Sequence, residues 1–97
     1  MNNAAYNRGT IAAKKCIDWI ERECVAWAQE LRLDAMDHGE TLTVEELRES
    51  VVDAVSNGTV ESFEHTPVSA SWVIESDRES FFSGVIAVVR GVVEGLV

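Results

Sequence analysis

The chain has 97 residues, of which 17 are acidic and 8 basic, and its net charge is −9 at pH 7. This length predicts a single domain over residues 1–97, and a hydrophobic content of 46% with three tryptophans argues against disorder. A surface this acidic repels nucleic acid and anionic membranes, which excludes both as direct partners, and it attracts basic proteins.

The first predicted element is a long amphipathic helix over about residues 10–32. Thr10 is its expected N-cap because a hydroxyl there can accept a hydrogen bond from the first turn. Apolar side chains then recur at steps of three and four residues, which predicts one stripe toward the core. The side chains of this stripe are Ala13, Cys16, Ile17, Ile20, Cys24, Trp27, Ala28 and Leu31.

Trp19 lies away from that stripe, among charged side chains of the same predicted helix. A tryptophan on a charged face is typical of an anchor in a protein–protein interface. An equally open alternative is that the indole packs beneath residues 59–75 of its own chain. Trp19 is therefore a candidate partner-binding residue.

The second predicted helix covers about residues 44–57. Thr43 and Glu46 have the spacing of a capping box, in which each side chain satisfies a free backbone N–H at the start of the helix. Asn57 and Gly58 are typical of a helix C-terminus and predict where this helix ends.

The outer face of this second helix carries a row of carboxylates within about 100° of arc. Its members are Glu45, Glu46, Glu49 and Asp53. No basic residue of the same helix intervenes on this face, and like charges four residues apart cost a few tenths of a kcal/mol each. Two explanations for this row of carboxylates are open, namely solubility of the protein and recognition of a basic partner. Under the second explanation, these four residues are candidate partner-binding residues.

Residues 59–75 support two interpretations. Thr66 followed by Pro67 predicts the N-cap and first residue of a short fourth helix. The alternation of apolar and polar side chains from Val68 to Glu75 is instead a strand period, which would form a β-hairpin with the residues before it. The predicted fold class is therefore a mainly α bundle of three main helices, with α+β as the alternative.

The third main helix is predicted over about residues 77–96, and it is apolar around most of its circumference. Such a helix is normally buried, here as the central helix of a bundle or against a second copy of the chain. Gly84, Gly91 and Gly95 lie on its narrow small-residue side, which is the expected face for a homodimer. A membrane span is disfavoured because the apolar part of this helix, from Phe81 onward, is shorter than the roughly twenty residues needed and contains the charges of Arg90 and Glu94.

The sequence contains no recognisable catalytic or metal-binding motif. His38 and His65 lie near no nucleophile motif, and residues 37–40 lack the ligand pattern of a calcium loop. Cys16 and Cys24 fall on the core stripe, where burial makes a thiol inert, and their spacing fits no zinc site. We expect no enzymatic activity, no metal and no cofactor; an enzyme that uses His38 or His65 is the alternative.

The cysteine spacing and the N-terminal sequence bear on the cellular compartment. Cys16 and Cys24 are too far apart on one helix to form a disulfide. The first residues lack the continuous apolar segment of a secretion signal. Both features predict a reducing, cytoplasmic setting.

These features together favour a small acidic, non-enzymatic protein that binds a protein partner with a basic surface. In the sharper hypothesis it is an inhibitor or decoy, whose carboxylates replace nucleic-acid phosphates in a basic groove. Its size and charge are similar to those of anti-defence inhibitors encoded by phages and mobile elements, a similarity of composition alone. The alternative is a structural or assembly subunit that homodimerises through its C-terminal helix.

Overall fold

The computed structural model describes residues 2–64 and 78–96, and these residues form four helices and no strand. The helices are α1 (Asn3–Lys15), α2 (Ile17–Asp37), α3 (Val44–Glu64) and α4 (Arg78–Leu96). The mainly α prediction is confirmed, although the described residues contain one helix more than the three main helices expected. The start of α4 agrees with its prediction to within one residue.

The helix predicted over residues 10–32 is instead two helices, α1 and α2, joined at Cys16. Thr10 is not an N-cap, because it lies inside α1 and its hydroxyl donates to a carbonyl of the preceding turn at 2.8 Å. The N-cap is Asn2, whose side chain accepts hydrogen bonds from two backbone N–H groups of the first turn at 3.1 and 3.2 Å. This cap lets α1 begin seven residues before the predicted start.

Cys16 has non-helical backbone angles, φ −116° and ψ 31°, and these redirect the chain between α1 and α2. Its backbone N–H donates to the carbonyl of Ala13 at 3.1 Å, and its thiol lies 3.4 Å from the same oxygen. These bonds satisfy a carbonyl that the end of a helix would otherwise leave without a partner. The redirection allows α1 to pack on α4 while α2 packs on both α3 and α4.

A tight turn after α2 brings α3 back beside it. Gly39 has φ 65°, a left-handed conformation that favours glycine, and its N–H donates to the carbonyl of Met36 at 3.1 Å. The N–H of Glu40 donates to the carbonyl of Ala35 at 2.8 Å, which completes a Schellman motif. Gly39 therefore ends α2 by a local mechanism.

The beginning of α3 agrees with the sequence, but its end does not. The N–H of Glu46 donates to Thr43 Oγ1 at 3.1 Å, and that hydroxyl donates to the Glu46 carboxylate at 3.0 Å, so Thr43 is the predicted cap. The predicted stop at Asn57 and Gly58 is wrong, because α3 continues to Glu64. Residues 59–64 are thus helical rather than strand, and the rest of the 59–75 segment lies outside the described residues.

Tertiary packing explains why α3 continues past Gly58. Thr59 and Val60 are buried, and the Thr59 hydroxyl donates to the carbonyl of Val55 at 2.7 Å. Phe63 lies edge-to-face with Phe81 of α4, with ring centroids 6.1 Å apart and an interplanar angle of 81°. The burial of these side chains outweighs the cost of a glycine inside the helix, which is about 1 kcal/mol.

The core surrounds α4, which contacts each of the other three helices. The largest fully buried hydrophobic side chains are Ile20, Val51, Val55, Phe81, Val85, Val89 and Val93. This position explains why α4 is apolar around most of its circumference. Among residues 2–64 and 78–96, no helix combines the length and apolar composition that a membrane span requires.

Two glycines allow α1 and α4 to cross at close range. A Cβ atom on Gly9 would overlap the backbone carbonyl of Phe81, and a Cβ on Gly84 would overlap the carbonyl of Tyr6. Neither position has room for a larger residue unless the helices move apart. Gly84 is therefore covered by α1 of its own chain and does not belong to the glycine face expected for a homodimer.

Candidate protein-binding surfaces

The four predicted carboxylates of α3 are all exposed, but they do not share one environment. Glu46 is engaged by Thr43 in the helix cap. Glu49 accepts a hydrogen bond from Arg90 of α4 at 2.5 Å, and both side chains remain substantially exposed. Glu45 and Asp53 have no ion pair within the described residues.

Arg90 of α4 brings a basic side chain to this acidic face, which the expectation for the second predicted helix alone did not cover. The hydrogen bond from Arg90 to Glu49, together with the charge of that carboxylate, raises the pKa of the guanidinium. Because the pair is exposed to solvent, it contributes little to stability, typically between 0 and about 1 kcal/mol. Its main effect is to neutralise the middle of the predicted carboxylate row.

A charged cleft of about 290 Å³ lies between α3 and α4 around this pair. Its polar lining consists of Glu45, Arg48, Glu49, Arg90 and Glu94. Three carboxylates and two guanidinium groups can contact a partner of mixed charge. The acidic face is therefore a patterned surface rather than a uniform imitation of phosphates.

Trp19 is half-buried and packs against the core, not on an isolated charged face. A Cβ atom on Gly58 would lie 3.9 Å from the Trp19 ring, so the indole covers Gly58 where α2 meets α3. This contact favours the alternative of packing within the chain, at a position just before residues 59–75. A role for Trp19 in binding a partner stays a prediction. Only the part of the ring that is still exposed could contact that partner.

A second surface, which we call the apolar groove, lies between the α1–α2 segment and the C-terminal half of α4. Its volume is about 680 Å³. Apolar and small residues in its lining include Ile17, Val88, Gly91, Val92, Gly95 and Leu96. Leu96, which is 48% exposed, also lines a smaller cavity farther along α2, so the two openings are adjacent.

The amino-acid sequence indicates one wall of the apolar groove but not the other. The small-residue side of α4, with Gly91 and Gly95, was the signal for an unfilled face. The opposite wall depends on where α1 and α2 lie after the break at Cys16, which the sequence pattern did not predict. The groove is therefore a product of the tertiary structure.

The chain has no significant match to any protein-family model, curated protein or solved structure. The features of the molecule that bear on function are therefore the charged cleft, the apolar groove and the chemistry of individual side chains.

The histidines that could support an enzyme do not form a described site. His38 is exposed after the end of α2, where its Nδ1 lies 2.8 Å from the carbonyl oxygen of Asp34. His65 lies outside the described residues. Within residues 2–64 and 78–96, no group of three histidine, cysteine or acidic side chains is placed to hold a metal ion.

Both cysteines are free thiols in environments that disfavour the thiolate. Burial raises the pKa of Cys24 to about 11, and the charges of Glu23 and Glu21 act in the same direction. Burial also raises the pKa of Cys16, although a backbone hydrogen bond opposes this shift. Because the thiolate is the nucleophile, both thiols are poor nucleophiles at neutral pH.

We expect alkylation to distinguish the two thiols in the folded protein. At pH 8, iodoacetamide should modify half-buried Cys16 first, because a pKa near 11 reduces the thiolate fraction of Cys24 about 100-fold relative to an ordinary thiol and burial restricts access. Peptide mass spectrometry over time would measure the two rates. In urea the rates should converge, and equal rates in the folded state would contradict the assigned environments.

Proposed function

We propose that this chain is a small acidic, non-enzymatic protein that acts by binding a partner protein with a basic surface. The observation that carries the proposal is the exposure of Glu45, Glu46, Glu49 and Asp53 on one side of α3, in a chain with net charge −9. Oriented carboxylates raise the rate of encounter with a basic protein and fix its orientation.

The more specific form of this proposal is an inhibitor that works in the cytoplasm on a nucleic-acid-handling protein. Glu45 and Asp53 lie two turns apart on α3 and would replace phosphates, while Arg90 would contact an acidic side chain at the edge of the same partner surface. A mixed pattern of this kind adds specificity, because a wrong partner would place like charges together. Anti-defence proteins of phages or mobile elements are the corresponding class.

A matched pair of charge reversals tests this proposal. One variant combines Glu45→Lys with Asp53→Lys on the proposed face, and the control combines Glu30→Lys with Asp37→Lys on the exposed side of α2. Both variants change the net charge equally. Each protein would be immobilised and used to capture proteins from extracts of the source cells, at about 0.1 M and 0.5 M salt.

We expect the wild type and the control to retain the same nucleic-acid-binding protein at low salt. The variant with the α3 substitutions should retain at least about tenfold less, and duplex DNA should displace the captured protein. Equal losses in both variants would indicate a general charge effect and contradict a role for α3. Capture that resists salt, DNA and both pairs of substitutions would contradict the acidic-face proposal altogether.

A further inference from the structure

The apolar groove has room for another helix at close range. Gly91 and Gly95 lie on the same side of α4 as Gly84, seven and eleven residues farther along. At Gly84 the backbone of α1 fills the space that a side chain would take, whereas no described residue of another element lies within 4 Å of a Cβ built on Gly91 or Gly95. Within residues 2–64 and 78–96, no helix packs on the second half of this side as α1 packs on the first half.

Two opposite charges stand on the facing wall of the apolar groove. They belong to Lys14 of α1 and Glu21 of α2, which both line the groove and are exposed. Neither has an ion pair within the described part of the chain. Their separation along the groove gives this wall a positive end and a negative end.

The direction of the helices determines which end is which. The N–H of Asn2 donates to Ser80 Oγ at 3.0 Å, so α1 and α4 begin side by side. Farther along, α2 and α4 still line common cavities. The α1–α2 segment and α4 therefore run in the same general direction, with Lys14 toward the start of α4 and Glu21 toward its end.

The positions of Lys14 and Glu21 make the apolar groove of one copy complementary in charge to the groove of a second, antiparallel copy. A twofold axis near Gly91 would place the α4 helices of two copies antiparallel and in contact, with the apolar grooves of the two copies facing each other. Lys14 of each copy would then face Glu21 of the second copy, which forms two equivalent contacts between opposite charges. A twofold interface requires this kind of self-matching surface.

We propose that the chain forms a twofold-symmetric homodimer through the apolar groove, with Gly91 and Gly95 at the helix crossing and Lys14 and Glu21 pairing between copies. The proposal uses a different surface from the charged cleft between α3 and α4, so it does not depend on the acidic-face proposal. It also changes the expected glycine face, because Gly84 belongs to the fold of each copy and not to the interface.

Charge reversal with mixing provides the test. The wild type should have twice the 10.7 kDa mass of the chain in size-exclusion chromatography with light scattering. Lys14→Glu alone and Glu21→Lys alone should each be mainly monomeric, because each places like charges at both contacts. An equimolar mixture of these two variants should form a heterodimer, since opposite charges then meet at both contacts.

Three control variants show whether the apolar groove itself holds the two copies together. Lys15→Glu carries the same charge change as Lys14→Glu but lies outside the apolar groove, so it should leave the dimer intact. Gly91→Leu should fill the groove and give a monomer with an unchanged helical circular dichroism spectrum. The Glu45→Lys/Asp53→Lys variant should remain dimeric, which separates the two proposed surfaces.

The proposal is overturned by any of three results. These are a wild type that stays monomeric at the highest soluble concentration, a dimer that both single charge reversals leave unchanged, and a mixture of the two reversed chains that fails to associate. A monomeric wild type would leave the acidic-face proposal intact, because that test does not depend on dimerisation.

Discussion

Replacing Gly84 with alanine is expected to reduce the free energy of unfolding by about 1–3 kcal/mol, although alanine is the better helix former. The added Cβ would overlap the backbone carbonyl of Tyr6 and lie 3.0 Å from the backbone nitrogen of Thr10. These are backbone atoms, so the overlap cannot be relieved by a change of side-chain rotamer. The substitution should therefore separate α1 from α4 or force both helices to shift.

The same substitution at Gly91 is the matched control. Among the residues that the structure describes, none from another element would lie within 4 Å of its Cβ, so only the gain in helix propensity remains, up to about 1 kcal/mol. Urea unfolding followed by circular dichroism, at protein concentrations low enough to keep the chain monomeric, would measure both variants. Equal changes at Gly84 and Gly91 would contradict the close crossing of α1 and α4.

Phe81→Ala is expected to have the largest effect of any single core substitution, a loss of about 3–5 kcal/mol. Phe81 is 1% exposed, lies in the core cluster and contacts the ring of Phe63 edge-to-face. Its removal would leave a cavity where α4 meets α1 and α3. Since domains of this size are stable by only about 5–15 kcal/mol, a large fraction of the protein would unfold under mild heating.

The neighbouring Phe82 supplies the comparison for this prediction. It has the same chemistry but is only half-buried at the edge of the core. Phe82→Ala should therefore cost clearly less, because part of the ring already contacts water and less of a cavity forms. Thermal unfolding of both variants would rank them, and a larger loss for Phe82→Ala would contradict the assigned orientation of α4.

The charged cleft and the apolar groove use different sides of α4. Arg90 and Glu94 line the charged cleft against α3, while Gly91 and Gly95 line the apolar groove against the α1–α2 segment. A dimer formed through the groove would therefore present two copies of the acidic face. If the partner also has repeated basic sites, two linked copies would bind it more tightly than one.

Local signals in the sequence determined much of the fold. The stripes with helical spacing correctly predicted that α2, α3 and α4 exist, because such spacing reports which side of a helix is buried. Thr43 predicted the start of α3, and in the structure Gly39 ends α2 by an equally local mechanism. Each of these acts through backbone groups only a few residues away, so sequence alone contains the cause.

The tertiary structure decided what depends on residues distant in the chain. Gly58 is a typical helix end, yet α3 continues because Trp19 covers it and later side chains are buried. Gly84 lies where α1 crosses α4. Arg90 of α4 contacts Glu49 of α3, although the two residues are 41 positions apart in the sequence. Periodicity and capping describe one helix at a time, whereas these outcomes depend on which helices meet and at what distance.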